Sequence, residues 1–201
     1  MHNPNSRLEA FCDGVFAIAL TLLVIELKVP VENIQNSSDL WSALKHMLPE
    51  VFAFLLSFGI VLITWANHHS SLKLIDKSSP QLLYANGFLL LTVVFIPFPS
   101  ALLGEYILTE SAAPAVVLYT AINAVQAIAW NVMSRVVLKQ NLTRSEKAKE
   151  KAQDVYKKTY FAIALYTICS ILALWFPLTI AIVITIIWIF WLIYGMNIKD
   201  E

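Results

Sequence analysis

The sequence predicts an all-α integral membrane protein with six transmembrane helices in each subunit. Hydrophobic residues make up 58% of its 201 residues and charged residues 14%, whereas a soluble domain averages about 45–50% and about 25%. The mean hydropathy is +0.67. A single soluble core of this length could not cover so much apolar surface. We therefore expect the lipid bilayer to surround this protein as a partner.

Six apolar segments are long enough to cross a hydrocarbon layer of about 30 Å, which takes about 20 residues in a helix. The third segment begins after Pro80, and only Phe176-Pro177 separates the fifth from the sixth. We treat residues 1–201 as one six-span domain. The spans are predicted at 8–29, 48–72, 81–103, 112–138, 158–176 and 178–197.

Two connecting segments are predicted to be helical as well. Residues 140–158 are strongly polar, with like charges at i,i+4 spacing, and are expected to extend span five into the cytoplasm as a solvated helix. An anionic-lipid contact is the alternative for this segment. Residues 31–47 contain Trp41 and predict a short helix lying at headgroup depth.

The distribution of bases predicts the orientation. Twelve of the 14 Lys and Arg residues lie at the termini or in the 2–3 and 4–5 loops, and only Lys28 and Lys45 lie on the other side. The positive-inside rule then places both termini of this multi-pass cell-membrane protein in the cytoplasm. An even number of spans requires the two termini to share a side, which agrees.

Several function classes are disfavoured by composition and motifs. Lys+Arg and Asp+Glu are both 14, so the basic excess of a nucleic-acid-binding protein is missing and no nucleic acid is expected as a partner. The sequence shows no Gly-rich phosphate loop, G-x-S-x-G or H-E-x-x-H pattern. We therefore expect neither an enzyme nor a cofactor or metal site.

Span one is unusual because its uncharged stretch, residues 14–25, is only 12 residues long. Ser6-Arg7-Leu8-Glu9 has the pattern of a capping box and predicts a helix start near Arg7. Asp13 then lies nearly two turns inside the helix, where an unpaired carboxylate would cost several kcal/mol. We infer that span one is a central helix, screened from lipid by the other five.

Partners for Asp13 are available at the end of span two, which returns to the membrane side where span one begins. A carboxylate can accept hydrogen bonds from Arg, from the Trp N–H or from His. A polar clamp between helices is the first interpretation, and a proton-sensing or gating latch at His68 or His69 is the second. The residues predicted to meet at one level are Arg7, Asp13, Trp65, Asn67, His68 and His69.

An apolar stripe also follows one face of span one. Ile18, Thr21, Leu22 and Ile25 have the spacing i, i+3, i+4, i+7. Such a stripe ordinarily packs against neighbouring helices. In an oligomer with span one at the axis, it would instead line a pore with hydrophobic constrictions.

These motifs resemble a known family. Arg7-Leu8-Glu9-Ala10-Phe11-Cys12-Asp13-Gly14 is similar to the R-x-x-x-F-S-D signature that opens the first helix in the transmembrane protein 175 (TMEM175) family, which are potassium channels of bacteria, archaea and animal endolysosomes. The end of span two, Trp65 followed by Asn67-His68-His69, also resembles that family. Cys12 departs from the usual serine. The layout resembles the family over the whole chain, but the specific motifs occupy spans one and two.

The resemblance implies a homotetramer of single-repeat subunits without a P-loop filter. The first helix of each subunit would line the pore, and potassium ions would be the permeant species. The implied constriction and selectivity positions are Ile18, Thr21, Leu22 and Ile25. The structural or gating polar network is assigned to Arg7, Phe11, Asp13, Trp65, Asn67, His68 and His69.

The sequence thus predicts a passive, potassium-permeable cation channel. Isoleucine and leucine side chains cannot replace the hydration shell of an ion, so only modest potassium-over-sodium selectivity is expected. The alternative is a proton-coupled secondary transporter that uses Asp13 and His68 as its relay.

Overall fold

A computed structural model describes residues 5–28 and 34–197 of the chain. The described residues form helices joined by turns, which confirms the predicted all-α class. Pro80, Pro97 and Pro177 each stand at the first turn of a helix, where the missing N–H costs nothing. The helices are α1 (Ser6–Ile25), α2 (Ser37–His46), α3 (Leu48–Leu72), α4 (Pro80–Phe95), α5 (Pro97–Tyr106), α6 (Ala112–Lys139), α7 (Glu146–Leu172) and α8 (Pro177–Asn197).

Four segments of the described chain are long and apolar enough to cross a membrane. They are α1, α3, the combined α4 and α5 (Pro80–Tyr106), and α6. These segments correspond to the first four predicted spans. The fifth and sixth predicted spans coincide with α7 and α8, but α7 has a charged first half. The count of six spans therefore stays a prediction.

The third predicted span is divided into two helices. α4 ends at Phe95 and α5 begins at Pro97, because a proline ring removes one backbone donor and clashes with the preceding turn. At the start of α4, the Ser79 side chain accepts a hydrogen bond from the Leu82 N–H at 3.1 Å. The two helices together, Pro80–Tyr106, are still long enough to span.

The predicted capping box at the start of α1 is wrong. The N-cap is Asn5 rather than Ser6, and its side chain makes no capping bond. The Asn5 Nδ2 instead donates to the Ile75 carbonyl oxygen at 3.4 Å. A tertiary contact thus takes the side chain that would otherwise cap the helix.

A capping box does occur at α2, where the Asn36 side chain accepts from the Asp39 N–H at 3.0 Å and the Asp39 carboxylate accepts from the Asn36 N–H at 3.3 Å. The short helix predicted within residues 31–47 is thereby confirmed over Ser37–His46. The first part of that segment, residues 31–33, and the predicted end of span one at residue 29 lie outside the described residues. Trp41 and Leu44 on α2 are exposed in the chain.

The polar segment is helical from Glu146 onward and continues without a break into α7. The prediction of helix from residue 140 is wrong at its start, because Asn141 adopts a left-handed conformation with φ 50° and terminates α6. Thr143 forms a β-bridge with Ile75. Backbone bonds from Asp76 N–H to Leu142 O (3.1 Å) and from Arg144 N–H to Leu74 O (3.0 Å) join the two loops.

Helix α1 is packed on one side only. It contacts α3, α4 and α5, while α7 lies along α6 and α8 packs against α3 and α6. Its buried residues are Cys12, Phe16, Ala19 and Leu23. The expectation that the other five helices of the chain screen α1 from lipid is therefore wrong for a single subunit.

Helices α3 and α5 approach each other closely at Gly104. A Cβ added to Gly104 would lie 2.7 Å from the Glu50 Cα. Nearby, the Ser57 hydroxyl donates to the Ser100 hydroxyl at 2.8 Å and lies 2.9 Å from the Tyr119 hydroxyl. The absence of a side chain at Gly104 lets α3 and α5 approach each other closely, and the buried hydroxyl contacts link α3, α5 and α6.

Gly104→Ala is expected to destabilise the protein. The new methyl group would meet backbone rather than a movable side chain, and such overpacking costs about 1–3 kcal/mol. Thermal unfolding in detergent measures the effect. Gly87→Ala is the matched control, since a Cβ at Gly87 meets nothing within 4 Å. Equal melting temperatures for the two variants would contradict the close approach.

Candidate functional site

The predicted stripe of α1 is exposed. Ile18 is 60% exposed, Leu22 37% and Ile25 68%, and Thr21 is also exposed. Residues advance about 100° around a helix at each position, so this face points away from the buried residues of α1. Large apolar side chains of α1 are thus left uncovered by the described part of the chain.

Phe11 belongs to this face and not to the predicted polar network. It is 62% exposed and lies seven residues before Ile18, on the same side of the helix. Gly14 adds open space between them, because a Cβ there would meet no atom within 4 Å. We call Phe11, Gly14, Ile18, Thr21, Leu22 and Ile25 the outer α1 face.

Thr21 supplies the one hydroxyl of the outer α1 face. Its Oγ1 donates to the Ile18 carbonyl oxygen at 2.9 Å. Because the proton is used within the helix, the lone pairs of the hydroxyl oxygen remain available to a cation. A threonine in this state offers an acceptor among aliphatic groups.

Asp13 is held by α3. The Trp65 Nε1 donates to the Asp13 Oδ1 at 2.8 Å. The Trp65 ring in turn stacks on His69, with ring centroids 6.0 Å apart and an interplanar angle of 25°. The structure therefore brings together three of the six residues predicted to meet, and the hydrogen bond to a charged acceptor partly satisfies the carboxylate.

His68 belongs to a separate cluster. Its Nε2 lies 2.6 Å from the Asn86 Oδ1, and the Asn86 Nδ2 donates to the Cys12 Sγ at 3.2 Å. The His68 ring also packs against Phe16 and Trp130, at centroid distances of 5.4 and 6.2 Å. Because an amide oxygen only accepts, the His68 Nε2 carries the proton in this bond.

Asn86 is the central residue that the sequence did not identify as part of this site. It is 1% exposed and joins α1, α3 and α4 through its two bonds. The available signal was an amide inside an otherwise apolar span. Cys12, in place of serine, takes part as the acceptor of an Asn86 N–H rather than as a donor.

Arg7 and Asn67 do not join Asp13. Both are exposed, and Arg7 forms no salt bridge with any residue in 5–28 or 34–189. Asn67 is two positions after Trp65, so it points about 200° away around α3. Arg7 lies about 9 Å along α1 from Asp13 at a rise of 1.5 Å per residue. Together with His68, these two residues are the members of the predicted six-residue cluster that the structure does not bring to Asp13.

Comparison with known proteins gives consistent results. A family model described as "Endosomal/lysosomal potassium channel TMEM175" matches residues 7–97. A potassium channel of Chamaesiphon minutus is 38% identical over 188 residues, or 92% of this chain and 93% of that protein. A potassium channel of Chryseobacterium sp. is 32% identical over 195 residues, or 97% of this chain and 96% of that protein.

A solved structure agrees with the fold. The crystal structure of a Chamaesiphon minutus homologue of the lysosomal potassium-selective channel TMEM175 matches with a TM-score of 0.80 and 34% identity. The match covers 94% of this chain and 98% of that chain. The outer α1 face and both polar contacts of α1 lie within residues 7–97, the part that the family model matches.

Trp65→Phe is expected to lower the free energy of unfolding by about 1 kcal/mol, because the exposed Asp13 carboxylate loses its indole donor. Thermal unfolding in detergent is the measurement. Trp188→Phe makes the same change at an indole N–H that is buried without a hydrogen-bond partner among the described residues. If both variants lost the same stability, the ring volume and not the hydrogen bond would be responsible.

Proposed function

The chain belongs to the TMEM175 family of channels, and on this premise we propose that it is a potassium-permeable cation channel. Ions cross passively through a homotetrameric pore lined by the outer α1 face of each subunit. The relatives named as potassium channels support the activity. The observation that carries the pore assignment is the exposed apolar face of α1, opposite the face that packs against α3, α4 and α5.

The position of α1 at a pore axis follows from its charged ends. Asp13 and Glu26 leave only 12 uncharged residues between them, fewer than a lipid-facing helix needs. Around a central axis, four copies of α1 cover one another and their charged ends meet water at the two mouths. Six spans per subunit and cytoplasmic termini complete this arrangement, since 12 of 14 bases then lie inside.

The constriction is assigned to rings of Ile18, Leu22 and Ile25. At a rise of 1.5 Å per residue these rings span about 10 Å along the axis. A neck of this kind restricts ions through its width and through the cost of dehydration, and it closes by dewetting. The hydroxyl oxygens of Thr21 provide the polar contact within the neck, so selectivity for potassium over sodium is modest.

The polar contacts behind the pore helix hold its orientation. The Asp13–Trp65 bond ties α1 to α3, and the Cys12–Asn86–His68 chain ties it to α4 and α3. These contacts lie beside the outer α1 face rather than on it. We assign them a structural and gating role, without ion coordination.

The secondary-transporter alternative is less well supported. A proton relay between Asp13 and His68 requires the two groups to exchange a proton, yet each is bonded to a different partner. Transporters of this kind also tend to use helices that are broken near the midplane. Helix α1 runs without interruption from Ser6 to Ile25. Both observations favour the channel.

Liposome flux tests the proposed activity. Purified protein in liposomes should carry potassium faster than sodium, without dependence on a proton gradient. The particle should have a protein mass of about 90 kDa, four times the 22.6 kDa chain. Absence of flux for potassium, sodium and caesium would overturn the channel assignment, and strict coupling to protons would favour the transporter.

Ile18→Asn tests the position of the neck. An amide at the constriction lowers the cost of wetting, so conductance should rise, or potassium/sodium discrimination fall, on the order of a few-fold. Single-channel recording in planar bilayers measures both. Val24→Asn is the control, since Val24 is 53% exposed on a different side of α1. Unchanged conductance and selectivity in Ile18→Asn would remove Ile18 from the neck.

A further inference from the structure

The C-terminal end of α6 and the middle of α7 carry a group of basic and hydroxyl side chains that the proposed pore does not use. Arg135 and Lys139 are exposed on α6, and Lys157 and Tyr160 are exposed on α7. We call these four residues the α6–α7 basic band. The positions and charges of these four residues indicate which class of ligand the band binds.

Two hydrogen bonds fix the register of the two helices. The Asn131 Nδ2 donates to the Thr159 Oγ1 at 2.8 Å, and the Ser170 hydroxyl donates to the Val117 carbonyl oxygen at 3.3 Å. The helices are therefore antiparallel, with Asn131 and Thr159 at one level. Arg135 and Lys139 lie one and two turns beyond Asn131, and Lys157 lies beyond Thr159 in the same direction.

The exposed surface of α6 and α7 changes from apolar to basic at the level of Asn131 and Thr159. On one side it is apolar, with Ile128 40% and Val132 38% exposed on α6 and Phe161 71% exposed on α7. On the other side it is basic. Val125, Ile128, Val132, Arg135 and Lys139 follow i, i+3, i+7, i+10, i+14 and so share one face of α6. This change from apolar to basic along a single stripe is what the boundary of a membrane requires.

The positive charge of the band is not neutralised by nearby acids. Residues 135–158 contain eight Lys or Arg residues and three acids. Asp154 lies 2.6 Å from Lys158, and Glu146 lies 3.8 Å from Lys149. Within the described residues, neither Arg135 nor Lys139 has a salt-bridge partner, so both remain available to an external anion.

Tyr160 adds an exposed hydroxyl group to the band. The Tyr156 and Tyr160 hydroxyl oxygens are 2.7 Å apart, and either could be the donor. When Tyr156 donates, the O–H proton of Tyr160 is left for an external acceptor. Arg135 lies one turn beyond Asn131, whose side chain bonds to Thr159 next to Tyr160. A guanidinium and a phenol hydroxyl therefore lie at neighbouring levels on the two helices.

We propose that the α6–α7 basic band binds the phosphate of an anionic phospholipid. Arg135, Lys139 and the Tyr160 hydroxyl hold the phosphodiester oxygens, and an acyl chain lies along Val132 and Ile128. Arginine and a hydroxyl donor suit a phosphodiester, which only accepts hydrogen bonds. A zwitterionic lipid presents its own cation to the same bases and is bound less tightly.

Native mass spectrometry of the detergent-purified protein, titrated with palmitoyl-oleoyl phosphatidylglycerol or phosphatidylcholine, tests this proposal. The wild type should bind phosphatidylglycerol more tightly than phosphatidylcholine. Arg135→Gln/Lys139→Gln should weaken that binding about tenfold or more, since each base near the headgroup contributes on the order of 1 kcal/mol, which is about fivefold. Tyr160→Phe should weaken it a few-fold through loss of one hydrogen bond.

Lys28→Gln/Lys45→Gln is the matched control, because it removes two exposed bases that are predicted to lie on the opposite side of the membrane. Its affinity should change by less than about twofold, since charges more distant than a Debye length are screened. Equal losses in the two double variants, or equal wild-type affinity for the two lipids, would overturn the proposal.

The test does not depend on the channel proposal. If Arg135→Gln/Lys139→Gln fails to fold, Tyr160→Phe and the wild-type lipid preference decide the question. Binding is measured on protein in detergent, whereas the channel proposal depends on ion flux in liposomes. Lipid preference without flux would overturn the channel assignment alone, and flux without lipid preference would overturn the lipid site alone.

Discussion

The hydrogen bond from Trp65 to Asp13 is the contact on which the arrangement of α1 depends. A carboxylate near the end of a short apolar helix is costly unless it has a donor, and the indole N–H at 2.8 Å provides one. Cys12, the next residue around the helix, receives the Asn86 N–H. Two bonds from neighbouring positions fix both the rotation and the height of α1, so they decide which side chains remain uncovered.

Once the rotation of α1 is fixed, the packing of the other helices covers one side of α1 and leaves the opposite side uncovered. Phe16 and Leu23 are buried against the other helices, while the outer α1 face points away from the subunit. The helix whose buried side stabilises the fold of one chain thus presents on its other side the apolar face that the proposed pore requires. Stability of the subunit and the shape of the proposed pore depend on the same helix.

The loop between α3 and α4 and the loop between α6 and α7 connect the start of α1 to the rest of the molecule. Asn5, at the start of α1, donates to the Ile75 carbonyl oxygen, and Ile75 is bridged to Thr143 in the loop before α7. The proposed lipid-binding band flanks that loop on α6 and α7. Two short-range contacts therefore link the loop beside the proposed lipid-binding band to the start of α1.

The sequence by itself determined the helical membrane class and the first four spans, because hydropathy is a local property of the chain. It named Trp65 only as one of several candidate donors to Asp13. It also placed Ile18, Thr21, Leu22 and Ile25 on one face. Tertiary structure alone decided that His68 bonds to Asn86 instead of Asp13, and that Asn5 is drawn to Ile75. These choices depend on which helices become neighbours and in what register, and no spacing along the chain contains that information.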